Sequence, residues 1–154
     1  MEYLRFKHKR FSARFPKDYL YSRSHYWLAA VEGEPGLWHV GFTKFATRML
    51  GELVEANFDL PLGAAIHSGQ EIGTVEGFKA ASSVFSVVDG TFAGLNPVIA
   101  EDACIVKSDP YEVGWLYAAR GTPEEGALTA EGYLELMQET ITRMAAQMHA
   151  EDEA

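Results

Sequence analysis

Short β-prone runs, each closed by glycine, proline or an acidic turn, fill most of this sequence, and a chain punctuated that often leaves little room for long helices. Trp27 to Val31 and Leu37 to Phe42 read as a hairpin around Glu32-Gly33-Glu34-Pro35-Gly36, whose glycines and proline supply turn geometry. Glu52 to Phe58, Glu71 to Phe78 and Ser82 to Val88 are the next strands, and Asp89-Gly90 predicts a turn with a return through Thr91 to Leu95. Two helices interrupt the pattern. Thr43 is placed to cap a short helix through Leu50 that buries Phe45 or Ala46 with Met49 and Leu50, closed by Gly51 in the left-handed position. From Thr129 to His149, Leu134, Met137, Ile141, Met144, Ala145 and Met148 recur at helical spacing. That stripe predicts a terminal helix packed on the β body, with partner docking as its alternative use, and 151–154 as a frayed tail. The expected class is mainly β and antiparallel, in one domain.

An apolar fraction of 47% is enough for one real core. The net charge of −9 is uneven: residues 1 to 23 hold seven Lys or Arg against two acids, leaving six against twenty afterwards. The acidic body repels nucleic acid and suits either plain solubility or docking on basic partner surfaces. Residues 1–15, with Arg5, Lys7, Lys9, Arg10 and Arg14 among Tyr3, Phe6, Phe11 and Phe15, read as a basic arm, mobile or hugging the surface, rather than an organelle-targeting remnant. No apolar run is long enough for a bilayer and no leader with a cleavage site is visible, so a soluble, non-membrane, intracellular protein is expected. Cys104 is the single cysteine, which leaves no internal disulfide and predicts a small buried hydrophobe; no Cys or His pair has metal-ligand spacing.

Catalytic constellations are absent. Gly69, Gly73 and Gly77 recur every four residues, which fits neither the dinucleotide fingerprint nor a phosphate loop. His8, His25, His39, His67 and His149 are scattered, and none is a candidate general base. Lys79 differs in its setting, between two extended stretches with Gly77 before it and the small Ala80-Ala81 after it. A lysine there stands out at a hairpin tip, where a modifying enzyme can surround its amine and form an amide without unfolding the domain. Seen by itself such a lysine is most often only solvated.

Its surroundings add a family likeness. Glu76-Gly77-Phe78-Lys79-Ala80 resembles the lipoylation motif Glu-Ser-Val-Lys-Ala of the glycine cleavage system H proteins. Tyr21-Ser22-Arg23-Ser24-His25-Tyr26-Trp27 is similar to that family's opening segment. Val40 to Ala46 followed by Leu50-Gly51-Glu52-Leu53-Val54 is similar to its strand, short helix and next strand. Ser86-Val87-Val88-Asp89-Gly90 stands where the family has Ser-Pro-Val-Ser-Gly, and Asp109-Pro110-Tyr111-Glu112-Val113-Gly114-Trp115-Leu116 matches its late turn and strand. The likeness is collinear over 16–120, with 121–154 as a C-terminal helix and acidic tail on the same domain. Biotin carriers favour methionine on both sides of their lysine, and the lipoyl domains of 2-oxoacid dehydrogenases lack the late elements, so both fit less well.

The resemblance implies a flattened antiparallel β barrel or sandwich of the barrel-sandwich hybrid type and a lipoate joined covalently to Lys79. It implies a carrier rather than an enzyme, with a lipoate ligase or lipoyltransferase, glycine decarboxylase, aminomethyltransferase and dihydrolipoamide dehydrogenase as partners. A cytoplasmic location is expected in a bacterium, a mitochondrial one in a eukaryote. Two departures bear on the cargo: Tyr26 replaces the glutamate of the family's Ser-His-Glu-Trp, and Ser83 replaces the aspartate of its Lys-Ala-x-Ser-Asp. Those acids are thought to neutralise the amine of an aminomethyl cargo, and an ammonium without an anion is costly where it cannot reach water. Ser24, His25, Tyr26, Glu76 and Ser83 are the candidate arm-contacting residues. The loss of the acids leaves room for an H-like lipoate-binding protein of another pathway such as bacterial sulfur oxidation, served by sulfur-oxidation enzymes, or an unlipoylated interaction scaffold.

Overall fold

The computed structural model describes residues 1–153, with side chains described as far as Met148. In chain order the elements are β1 (Tyr3–His8), β2 (Phe11–Pro16), β3 (Leu20–Tyr21), β4 (Tyr26–Ala30), β5 (Leu37–Phe42), α1 (Lys44–Leu50), β6 (Leu53–Phe58), β7 (Ala65–Ile66), β8 (Glu71–Gly77), β9 (Ala81–Phe85), β10 (Val88–Leu95), α2 (Pro97–Glu101), α3 (Ile105–Ser108), β11 (Tyr117–Pro123) and α4 (Ala130–Glu153). A six-stranded sheet of order β3-β4-β5-β11-β10-β7 faces a three-stranded sheet of order β6-β8-β9, and all pairings are antiparallel. Between them lies a core that includes the aliphatic residues Leu28, Val40, Ile66, Ile72, Val75, Val84 and Val88 together with the aromatic Tyr26, Phe42, Phe92 and Tyr117. The two sheets form an open sandwich, without the continuous pairing of a closed barrel.

The turn at Glu32 to Gly36 joins β4 to β5 as expected, with Gly33 and Gly36 at φ near +80°. Asp89-Gly90 is not a turn. Both lie inside β10, where Gly90 faces Gly121, and a Cβ on Gly90 would stand 1.9 Å from the Arg120 carbonyl oxygen. That glycine serves close backbone approach, and the chain changes sheets one step earlier, between β9 and β10 at Ser86-Val87. The Ser86 hydroxyl fixes the crossing by donating to the Val88 carbonyl at 2.7 Å.

The short helix begins after Thr43, but the Thr43 hydroxyl does not cap it; it is bonded to the Tyr133 hydroxyl at 2.8 Å. Thr47 and Leu50 are its buried residues, Phe45 and Ala46 are half-buried, and Met49 is exposed, contrary to the expected pattern. Gly51 has the positive φ foreseen, +77°, but an extended ψ, because the chain runs straight into β6.

The expected arm is structured. β1 and β2 pair as a hairpin from Tyr3↔Pro16 to His8↔Phe11, and Phe6, Phe11 and Phe15 are buried. They enter a second, aromatic cluster with Tyr21, Trp27, Tyr111 and Tyr133. Phe15 meets Tyr133 edge-on with centroids 5.1 Å apart, and Tyr21 stacks on Tyr133 at 4.9 Å. The terminal helix docks here by Ala130, Tyr133 and Met137, one turn apart. Leu134 and Ile141 are half-buried, whereas Met144 and Met148 of the expected stripe are exposed. The helix also runs on through Glu153, where a tail is expected; Ala154 lies outside the described residues. Cys104 is exposed as well, just ahead of the short α3, so it does not serve the core.

Candidate functional site

Lys79 sits in the tight turn between β8 and β9, closed by the Gly77 N–H donating to the Ala80 carbonyl at 2.9 Å. The tip is held against the end of α1 by the backbone. Phe78 N–H donates to the Glu52 carbonyl at 3.0 Å and Lys79 N–H to the Leu50 carbonyl at 2.9 Å. Gly77 makes this approach possible, since a Cβ there would lie 2.3 Å from the Leu50 oxygen. The lysine backbone is therefore fixed while its side chain stays exposed.

Lys79 Nζ donates to the Arg48 carbonyl at 3.2 Å. That carbonyl belongs to the last turn of α1, where helix carbonyls lack intrahelical partners and the dipole favours a cation. No carboxylate pairs with the amine among the described residues; the ion pairs present are Lys17 with Glu2 and Arg120 with Glu34. A neutral partner on one side and solvent on the other leave the amine accessible. Phe78, 77% exposed, adds a large apolar group beside it.

The five residues expected around an arm are spread over several places. Glu76 is exposed on β8 next to the turn, opposite Ala81 and Glu55 on the neighbouring strands. Ser83 donates its hydroxyl to Glu71 at 2.8 Å, so an acid from the adjacent strand stands at the serine. Together with Asn57 and Thr74, residues Glu55, Glu76 and Ser83 line an open groove on the three-stranded sheet. Tyr26 is buried, stacks on Phe42 at 5.3 Å and accepts the Phe85 N–H at 3.0 Å. Burial pushes its hydroxyl up to about 12, against a lowering by that hydrogen bond, so it is a neutral group. Phe85 is at the far end of β9, about 13 Å along the strand from Ala81 beside the tip.

Ser24 is exposed and its hydroxyl is bonded to that of Ser22. His25 turns the other way, toward the terminal helix. Its Nδ1 is bonded to the Tyr133 hydroxyl at 2.8 Å and its ring lies 4.5 Å from that of Phe45. Burial lowers its pKa to about 4, which makes it a neutral structural link. None of the five hydrogen-bonds the lysine amine. Sequence reading missed both Tyr133, whose hydroxyl joins His25 to Thr43, and the α1 carbonyl that receives Lys79. A long-range backbone acceptor leaves no mark in sequence.

Among the described residues no group of three or more His, Cys, Asp or Glu is arranged for a metal, and no helix is long and apolar enough to cross a membrane. Comparison with known proteins gives one consistent answer. A family model described as "Glycine cleavage H-protein" matches residues 19–142. The glycine cleavage system H protein of Corynebacterium jeikeium is 35% identical over 122 residues, covering 77% of this chain and 93% of that protein. That of Edwardsiella ictaluri is 38% identical over 128 residues, covering 80% and 97%. The crystal structure of a glycine cleavage system H protein from Mycobacterium marinum superposes with a TM-score of 0.69 at 28% identity, covering 82% of this chain and 98% of that one.

Proposed function

The chain belongs to the glycine cleavage H-protein family, and on that premise we propose that Lys79 bears lipoate in amide linkage and that the protein is a non-catalytic lipoyl carrier of glycine cleavage. The observation that carries this reading is the setting of Lys79: a backbone pinned to α1, an exposed side chain, and an amine held only by the neutral Arg48 carbonyl. The residues present fit the group. Acylation removes the charge of Nζ but leaves it one N–H, enough to keep the bond to Arg48. The exposed amine sits on a defined turn, so a lipoate ligase or lipoyltransferase meets it in a folded domain. Lipoate, when bound there, would supply a disulfide that can open to take up a cargo and whose dithiol can be reoxidised by thiol–disulfide exchange.

What this chain's residues do is position. The Gly77 turn fixes the origin of the arm, and a tether of that kind raises the local concentration of its end at a docked active site. Glu76 beside the tip, and Glu71, which reaches Ser83 from the far end of β8, offer carboxylates on the sheet, which compensates in part for the acids absent at positions 26 and 83. The proposed partners are glycine decarboxylase, aminomethyltransferase and dihydrolipoamide dehydrogenase, and a cytoplasmic setting suits them. The relatives compared are glycine cleavage system H proteins, which favours that pathway over sulfur oxidation. Lipoylated protein mixed with glycine decarboxylase is expected to support glycine-dependent exchange of the carboxyl carbon with bicarbonate. Folded, fully lipoylated protein that gives no exchange would overturn the glycine cleavage assignment.

A further inference from the structure

The exposed face of the N-terminal hairpin is under-explained by folding. Phe6 and Ala13 form a buried cross-strand pair, so Tyr3, Arg5 and Arg14 stand on the opposite face, where Arg5 and Arg14 are paired directly across the strands. Like charges in that position destabilise a sheet. Two more cations are brought to the same place, Lys44, which opens α1, and Lys107 in α3. All four line a hollow of about 380 Å³ between the hairpin, the start of α1 and the turn that follows α3.

None of the four makes an ion pair among the described residues, whose pairs are Lys17 with Glu2 and Arg120 with Glu34. The one acid in the wall is Asp109, and its carboxylate accepts the Val113 N–H at 3.4 Å. Four cations against one carboxylate leave three positive charges in excess. Such a concentration runs against the composition, for the chain carries −9 overall and Lys44 and Lys107 are two of the six Lys or Arg that follow residue 23. Arg14 is also held in place, with its guanidinium 4.6 Å from the centre of the Tyr3 ring. The hairpin lies outside residues 19–142 and both lysines lie inside, so the hollow forms where the addition meets the matched family region.

We propose that this hollow binds the diphosphate group of a small molecule. Its volume falls within the range usual for small-molecule sites. The two arginines supply planar forks that take phosphate oxygens in pairs, and the two lysines add compact charges. One phosphate monoester carries a charge of about −1.5 to −2, which falls short of the excess in the wall, whereas two phosphates in series match it. The wall is made mostly of charged and hydroxyl-bearing side chains, which disfavours an acyl chain. An anion seated there also offsets the repulsion between Arg5 and Arg14, so the ligand stabilises the pairing of β1 with β2. The site is separate from the lipoyl attachment, since the Lys79 turn docks at the far end of α1, about 9 Å along the helix from Lys44.

Isothermal titration calorimetry of the full chain tests this with pyrophosphate, ADP, orthophosphate and a short polyglutamate peptide, in magnesium-free buffer at about 0.15 M salt, where distant surface charges are screened. Pyrophosphate or ADP is expected to bind about tenfold or more tighter than orthophosphate, and the tighter of the two tells whether free pyrophosphate or a nucleotide is the source. Arg5→Gln with Lys107→Gln should weaken that binding about tenfold or more. Lys9→Gln with Arg10→Gln removes the same charge from the hairpin tip and should change it by less than about twofold. All four replaced side chains are exposed, and circular dichroism checks that both variants are folded. Melting gives a second reading: pyrophosphate raises the Tm of the wild-type chain and leaves that of the Arg5→Gln, Lys107→Gln variant unmoved. Equal weakening by the two double variants would reduce the site to diffuse charge attraction and overturn it, as would the absence of binding by either diphosphate at millimolar concentration. A polyglutamate peptide that binds as tightly as the diphosphates would assign the hollow to an acidic segment of a partner protein and overturn the proposal.

Discussion

The core between the sheets and the aromatic cluster at the outer end draw on different parts of the chain. In the first, Val40, Val75, Val84 and Val88 come from strands within the matched family region. In the second, Phe6, Phe11 and Phe15 come from a hairpin ahead of that region and close on Tyr133 of the terminal helix. The first cluster underlies the sheet whose turn presents Lys79; the second fastens the termini to each other. The difference teaches that the lysine turn is a property of the shared fold, whereas the surface around α1 has been rebuilt by what is added.

Phe15→Ala is the hardest blow to the aromatic cluster, since the ring is fully buried among Tyr21, Tyr111 and Tyr133. A loss of about 3–5 kcal/mol in urea unfolding is expected. Lipoylation of Lys79 in the remaining folded protein should be unchanged, and a parallel loss would show the clusters to be one unit. Gly77→Ala strikes the other region. Its Cβ collides with the Leu50 carbonyl, and about 1–3 kcal/mol should be lost together with a slower rate of lipoylation, because the turn must leave α1.

Acid should act first on the aromatic side. His25 is held neutral by burial, with its pKa lowered from 6.5 to about 4. Between those values the unfolded chain takes up a proton that the folded chain does not, so stability falls as pH drops from 6.5 toward 4 and levels off below. Roughly 3 kcal/mol is expected across that window. His25→Asn should flatten this part of a urea midpoint against pH profile; asparagine tolerates the φ of +70° found there. Tyr26→Phe is the mildest change. It leaves the Phe85 N–H without its acceptor, at a cost of about 1 kcal/mol, and should leave lipoylation intact.

Much of the shared fold was legible because strand pattern and turn chemistry agree locally: Leu37 to Phe42 and the turn before it are found as expected. The hairpin at 3–16 carries its own signal, with Phe11, Ala13 and Phe15 alternating with polar residues, but the density of positive charge masks it. Gly90 misleads because a glycine that permits close approach looks the same in sequence as one that turns. The terminal helix was legible as a helix and, through Leu134, Met137 and Ile141, in the face it turns inward, but not in the exposure of Met144 and Met148 or in the Tyr133 hydroxyl that His25 and Thr43 satisfy. At the site, Lys79 was marked by its neighbours, whereas the carboxylate brought to Ser83 by Glu71 and the carbonyl offered by Arg48 depend on pairing across elements distant in sequence.

The central claim is that Lys79 is the attachment point, and intact-protein mass after co-expression with a lipoate ligase and supplied lipoate tests it most directly. The account predicts a single lipoyl increment on the wild-type chain, located to Lys79 by peptide mapping and absent from folded Lys79→Arg. An unmodified mass under conditions that lipoylate another H protein, or an increment that survives Lys79→Arg, would contradict it.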